Sequence, residues 1–223
     1  MSLKLFIEAI CKFLLGVILV AALIFLPAGT VDYFGGWLFM GILFVPMFCA
    51  GIVMMAKSPE LLKKRLIAKE KQKEQSAVIK LSGLVFIAGF VLCGLEVRFG
   101  WYKLPLWVTI LGTVIFLFAY ILYAEVLREN TYLSRTIEVQ KDQKVIDTGL
   151  YGVVRHPMYM AVVLLFLSIP LVLGSLYSFI IFLAFPFILA KRIKHEEEFL
   201  EKELNGYAQY KNKVKYRLIP YIW

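Results

Sequence analysis

Charge is scarce in this 223-residue chain. Asp, Glu, Lys and Arg make up 18% of it and apolar residues 61%, against about 25% charged and 45–50% apolar in an ordinary soluble domain. The scarcity is uneven. Between Lys12 and Lys57 only Asp32 is charged, and residues 158–190 carry no charge at all. This excludes a soluble enzyme domain, a disordered chain and a disulfide-stapled secreted module. The three cysteines, Cys11, Cys49 and Cys93, lie far apart in apolar runs without a C-x-x-C pair, which argues against a disulfide framework or zinc site. There are two histidines, and His195 opens H-E-E-E-F rather than H-E-x-x-H, so no metal centre is expected. Neither a G-x-G-x-x-G nor a phosphate-binding P-loop occurs, so no Rossmann domain is expected. Pro220-Tyr-Ile-Trp223 is not a prenylation box, so the protein is not itself an expected lipidation target.

What is present is apolar runs of membrane length. A helix crossing the hydrocarbon core needs about 20 apolar residues. Residues 10–29, 36–56, 78–97 and 104–127 meet this, with short links at Pro27–Gly35 and Arg98–Lys103. Met1–Glu8 is too short and mixed for a cleaved leader, so the first span is expected to be retained. The uncharged run 158–190 would be about 50 Å as one helix, too long for a single crossing. Leu173-Gly-Ser175 near its middle predicts a hairpin of two short helices, with Pro170 and Pro186 within them. The expected fold is an all-α polytopic membrane protein of five to six transmembrane helices with a cytoplasmic C-terminal helical cap. It divides into an N-terminal part, 1–127, and a C-terminal catalytic region, 128–223, integrated in one domain.

Between the spans the charge is basic. Lys57 to Lys80 holds Lys57, Lys63, Lys64, Arg65, Lys69, Lys71, Lys73 and Lys80 against Glu60, Glu70 and Glu74. Ser58-Pro59-Glu60 reads as a helix start. Leu61, Leu62, Leu66 and Ile67 form one apolar stripe, giving an amphipathic basic segment at the membrane surface. Such a segment either docks on anionic lipid or merely sets topology. Residues 136–146 alternate enough for a small β-hairpin. The basic loops 57–80, 128–157 and 191–217 fall on one side if there are six crossings. The positive-inside rule then places both termini in the cytoplasm of an inner-membrane protein. The net charge of +9 is therefore a membrane signal, and membrane lipids rather than nucleic acid are the expected partners.

The spans are nearly free of mid-membrane charge, unlike transporters. Titratable residues crowd instead into Thr148–Tyr159 and Lys191–Arg217. Pro157 suits a first helical turn with His156 as cap. Helix-start N–H groups attract carboxylate or phosphate, and Arg155 adds a planar fork. Glu196, Glu197 and Glu198 fan around a helix, and Ile193, Glu197 and Leu200 share one stripe. Both stretches also fit a blander reading: an interfacial Arg-His pair with a tyrosine belt, and a solvated charged helix.

Together these stretches resemble the isoprenylcysteine carboxyl methyltransferase family. Thr148-Gly-Leu-Tyr-Gly-Val-Val-Arg-His-Pro-Met-Tyr159, Arg192-Ile-Lys-His-Glu-Glu-Glu-Phe-Leu200, Gly206-Tyr-Ala-Gln-Tyr210 and Arg217-Leu-Ile-Pro220 follow the order and spacing of that family. Pro59–Arg65 and Glu129–Gln140 are similar to its bacterial and archaeal branch. The resemblance runs from about residue 36 and is strongest over 130–220. Ala161 departs from it, standing where the family often has glycine.

The resemblance implies a membrane methyltransferase using S-adenosyl-L-methionine, with a lipid-like or prenylated acceptor entering from the bilayer. By position it implies that Arg155, His156, Pro157, Tyr159, Glu196 and Glu197 hold the cofactor, with Leu150 and Tyr151 lining the same cavity. Arg155 is then the candidate for orienting an acceptor carboxylate, which needs no base. Glu197 is the candidate base for an amine acceptor. Arg155→Ala and Glu197→Ala are expected to lose transfer activity while staying folded. Three alternatives stand beside this: a phospholipid amine N-methyltransferase, a nicotinamide-dependent membrane reductase, and a non-catalytic lipid-binding protein. A cofactor-sized cavity between 150–160 and 191–210 would separate the last from the rest.

Overall fold

The computed structural model describes residues 3–66, 73–133 and 139–223. Among these the chain is helical. In order run α1 (Leu3–Ala28), α2 (Phe34–Lys57), α3 (Pro59–Leu66), α4 (Lys73–Phe99), α5 (Leu106–Glu129), α6 (Pro157–Val172), α7 (Leu176–Phe182), α8 (Phe185–Glu203) and α9 (Tyr207–Lys213). Five stretches are long and apolar enough to cross a membrane: those of α1, α2, α4 and α5, and Leu176–Glu203 across α7 and α8. This is a polytopic membrane protein. In hydrocarbon every backbone N–H and C=O must be satisfied internally, and helices do this within one segment.

The shorter α6 still runs the length of the bundle. The turn after it meets the loops at the far end: Tyr33 Oη donates to the Leu173 carbonyl at 2.6 Å, and Leu104 N to the Gly174 carbonyl at 3.2 Å. Among the described residues the helices thus run along the bundle six times, five of these stretches being long and apolar enough to cross a membrane, and the polar stretches 57–66 and 139–156 gather at one end. The predicted hairpin is present and turns at 173–175, but its second arm is broken between α7 and α8. Pro186 explains the break. It has no N–H for the preceding turn, and its ring crowds the carbonyl of Phe182. Beyond it α8 continues without interruption from Phe185 to Glu203.

The basic segment after α2 also differs from a single helix. Its first part is α3, with Leu62 buried and Arg65 stacked 5.3 Å from the Tyr123 ring centre of α5. Residues 67–72 lie outside the described set, and Lys73 already begins α4. The expected β-hairpin is only partly testable, because residues 134–138 also lie outside it. Its turn exists, with Gln143 N donating to the Gln140 carbonyl at 3.1 Å, but Lys144–Ile146 form no strand.

The core is aromatic. Phe39, Phe90, Phe116, Phe182 and Phe185 are buried together. The Phe86 ring lies 4.6 Å from Phe166 and 4.8 Å from Phe185. Leu14, Leu15, Ile18, Leu19 and Ile121 point outward, as a lipid-facing surface requires. Small residues let helices approach closely. A Cβ at Gly112 would stand 2.6 Å from Leu171 Cβ and 3.0 Å from Val172 N, so α5 and α6 touch backbone to backbone there. Gly112→Ala is expected to lose about 1–3 kcal/mol, read as a lower melting temperature in detergent. An unchanged melting temperature would refute this contact. Ala161 is fully buried, so a methyl group is accommodated at the position where the resemblance has glycine.

Candidate active site

The polar end of the bundle is organised by one buried carboxylate. Glu197, on the inward stripe of α8, is 2% exposed. Its Oε1 accepts from Arg155 Nε at 2.7 Å and stands 3.2 Å from His156 Nε2; its Oε2 accepts from Arg217 Nε at 2.8 Å. Arg155 is 6% exposed, and its Nη1 donates to the carbonyls of Val214 and Lys215 at 2.7 and 2.8 Å. Two backbone bonds reinforce this: Arg155 N to the Tyr216 carbonyl and His156 N to the Arg217 carbonyl, both 2.9 Å. The start of α6, the acidic part of α8 and the C-terminal tail are thus joined at one point.

His156 occupies the N-cap position of α6, as the Pro157 argument predicts, but its side chain makes no cap bond. It turns to Glu197 instead. The preceding 3-10 turn, Gly149–Gly152, hangs from the end of α5. Glu129 Oε2 accepts from Leu150 N and Oε1 from Thr148 Oγ1, both at 3.1 Å. Gly149 has φ +48°, and a Cβ there would collide with the Glu129 carboxylate. Glycine is therefore needed twice over.

Between these elements lies an open-mouthed cavity of about 110 Å³, smaller than the roughly 300–1,000 Å³ typical of small-molecule sites, so a cofactor-sized ligand fits only if side chains of the wall move aside or part of it stays in the mouth. Of the residues named from sequence, Tyr151, Arg155, His156, Tyr159 and Glu196 line it. Leu150, Pro157 and Glu197 stand behind the lining. Sequence reasoning passed over Asn130, Tyr132 and Lys144 in this wall, and gave Arg192, Tyr207 and Tyr210 no role in it. The polar segment 139–146 supplies part of it; its alternation reads as a hairpin arm and gives no sign of a cavity wall.

Most polar groups in the wall are already engaged. Tyr159 Oη donates to Glu196 Oε2 at 2.5 Å and accepts from Arg192 Nε at 2.8 Å. Asn130 Nδ2 donates to Tyr151 Oη at 2.9 Å, and Tyr210 Oη to the Tyr151 carbonyl at 2.7 Å. Burial pushes the Tyr151 phenol up to about 12 and raises those of Tyr207 and Tyr210 as well. All three are neutral donors at physiological pH. The cavity thus offers five tyrosine rings and the Glu196 carboxylate. Its cations are either engaged, as Arg155 and Arg192 are, or exposed, as Lys144 is.

Two similarities bear on the chain. Residues 107–206, a little under half of the chain, match the family model described as phospholipid methyltransferase. The match contains the 155–159 and 196–197 elements and stops before Tyr207 and Arg217. A curated relative, the Delta(14)-sterol reductase TM7SF2 of Mus musculus, is 31% identical over 91 residues, which are 40% of this chain and 22% of that protein. The chain thus spans about a fifth of the length of the curated relative it matches. Residues 107–206, which supply much of the cavity wall, resemble a methyltransferase family, and 91 residues of the chain resemble a reductase.

Proposed function

We propose that this protein is an S-adenosyl-L-methionine-dependent membrane methyltransferase that O-methylates the carboxylate of a prenylcysteine or another isoprenoid or lipid-like acceptor. The observation that carries this is the make-up of the cavity between the Pro157 turn and α8. A sulfonium cofactor is cationic at sulfur and zwitterionic at its amino-acid end. Tyrosine faces and a carboxylate are the groups that stabilise such a cation. A nicotinamide dinucleotide carries several phosphate charges and calls for uncommitted basic side chains. Here Arg155 gives Nε and Nη1 to Glu197 and two carbonyls and keeps only Nη2, and Arg192 donates to Tyr159; one spare nitrogen suits a single carboxylate rather than several phosphates. The donor set therefore favours methyl transfer over the reductase chemistry of the sterol-reductase relative.

When bound, S-adenosyl-L-methionine supplies a methyl carbon whose bond to sulfur breaks as the acceptor oxygen bonds to it, the electron pair staying on sulfur. For a carboxylate acceptor no proton moves. The chain's task is then to hold two reactants in line and exclude water, an effect worth roughly 7–11 kcal/mol when geometry is good. Tyr151, Tyr159 and Glu196 bind the cationic end. Arg155 orients the acceptor carboxylate, and the buried wall from Leu133 to Leu204 excludes water. The lipid-facing helices bring the acceptor from the bilayer, and the basic loops favour a cytoplasmic site at the inner membrane.

The test is calorimetric titration of the detergent-solubilised protein with S-adenosylhomocysteine. Binding near equimolar stoichiometry is expected; a folded sample that binds none overturns the proposal. The family match favours a second reading, N-methylation of a phospholipid amine. That reaction needs a base. Glu197, with both oxygens committed to cations, is poorly suited to the role, which leaves Glu196. An alkali-labile methyl ester as product supports the first reading, and a stable methylamine the second.

A further inference from the structure

Tyr207 opens α9 at the cavity wall. It packs among Leu204, Tyr210 and Val214 and is 4% exposed. Its hydroxyl has no hydrogen-bond partner among the described residues, although the hydroxyls of Tyr151, Tyr159 and Tyr210 in the same wall are all engaged. A buried unpaired hydroxyl is unfavourable, and phenylalanine would fill the same space. Burial, with the Glu197 and Glu196 charges adding to it, keeps the phenol protonated, and Arg155 is close enough to act on it electrostatically. Arg155 points the same way: Nε and Nη1 are committed, while Nη2 makes no hydrogen bond among the described residues. The cavity wall therefore holds two unused donors, one neutral and one cationic.

Building on the methyltransferase reading, we infer that the Tyr207 hydroxyl, together with Arg155 Nη2, binds an oxyanion of the ligand in this cavity. That oxyanion is a carboxylate, and it has two possible sources: the amino-acid end of the methyl donor, or the methyl acceptor. Tyr207 is then a ligand-binding residue outside the segment that matches the family model.

The experiment compares wild type with Tyr207→Phe in three measurements. These are the melting temperature without ligand, the Kd for S-adenosylhomocysteine, and the KM for farnesylated N-acetylcysteine as probe acceptor. Removing an unpaired hydroxyl is expected to leave the melting temperature equal or higher. A rise of about tenfold is expected in one constant only: in Kd if the donor's carboxylate is bound, in KM if the acceptor's is. A lower melting temperature means that the protein itself holds the hydroxyl, and overturns the inference. So do a Kd and KM both within twofold of wild type. Wild type that binds no S-adenosylhomocysteine overturns the reading beneath, and this inference with it.

Discussion

Glu197→Ala is expected to destabilise the protein by about 3–5 kcal/mol and to abolish transfer. The carboxylate is enclosed, and three groups converge on its two oxygens: Arg155, Arg217 and His156. Removing it leaves the Arg155 guanidinium buried without a counter-charge, which costs more than the pair itself contributes. It also releases the tail, because Arg217 reaches α8 through this group. Glu197→Gln keeps the shape and one acceptor oxygen, but turns an amide N–H₂ toward a guanidinium. Its loss is expected to be intermediate. Thermal unfolding in detergent measures both variants. A change within ~0.5 kcal/mol, as for a substitution that touches no partner, would mean that this network does not hold the site together. Sequence alone suggests a residue whose loss spares the fold; its partners make it a structural residue as well.

Arg155→Lys is expected to be almost as damaging, although charge is kept. The guanidinium binds in two directions at once, to Glu197 through Nε and to the Val214 and Lys215 carbonyls through Nη1. A lysine ammonium is a single point that cannot span both. The polar group left unpaired costs about 1–3 kcal/mol. Function suffers more than stability, since Val214 and Lys215 anchor the segment that carries Tyr207 and Tyr210. A shift of about 1 Å in such a wall lowers turnover on the order of 10²-fold. Transfer of a labelled methyl group at saturating donor would register this. Turnover within threefold of wild type would refute it.

The bundle was readable from the apolar runs because each crossing must carry its own run and each short link closes a hairpin. The start of α6 was readable for a local reason, since Pro157 is favourable only in a first turn. The meeting of 155–159 with 196–197 was suggested by resemblance; the turn at 173–175 that makes it possible was legible from Gly174, but no local pattern encodes an ion pair between residues 42 apart. Glu129, which suspends the 149–152 turn, looks in sequence like an ordinary acidic residue at a helix end. Its partners, the Thr148 hydroxyl and the Leu150 N–H, lie 19 and 21 residues further along and leave no local signature. Tyr207 was noted for its spacing from Tyr210, but only three dimensions distinguish an engaged hydroxyl from an idle one.

The unbroken course of α8 has a mechanical consequence. Phe185, packed among the core aromatics, and Glu197, at the ion-pair junction, sit on one rigid rod about 18 Å apart. Tilting that rod by some 3° would swing the carboxylate by roughly 1 Å, enough to misalign reacting atoms. Bilayer thickness and the greasy end of an arriving substrate press on the same lever that carries the acidic groups, so turnover in thin and thick membranes need not be the same.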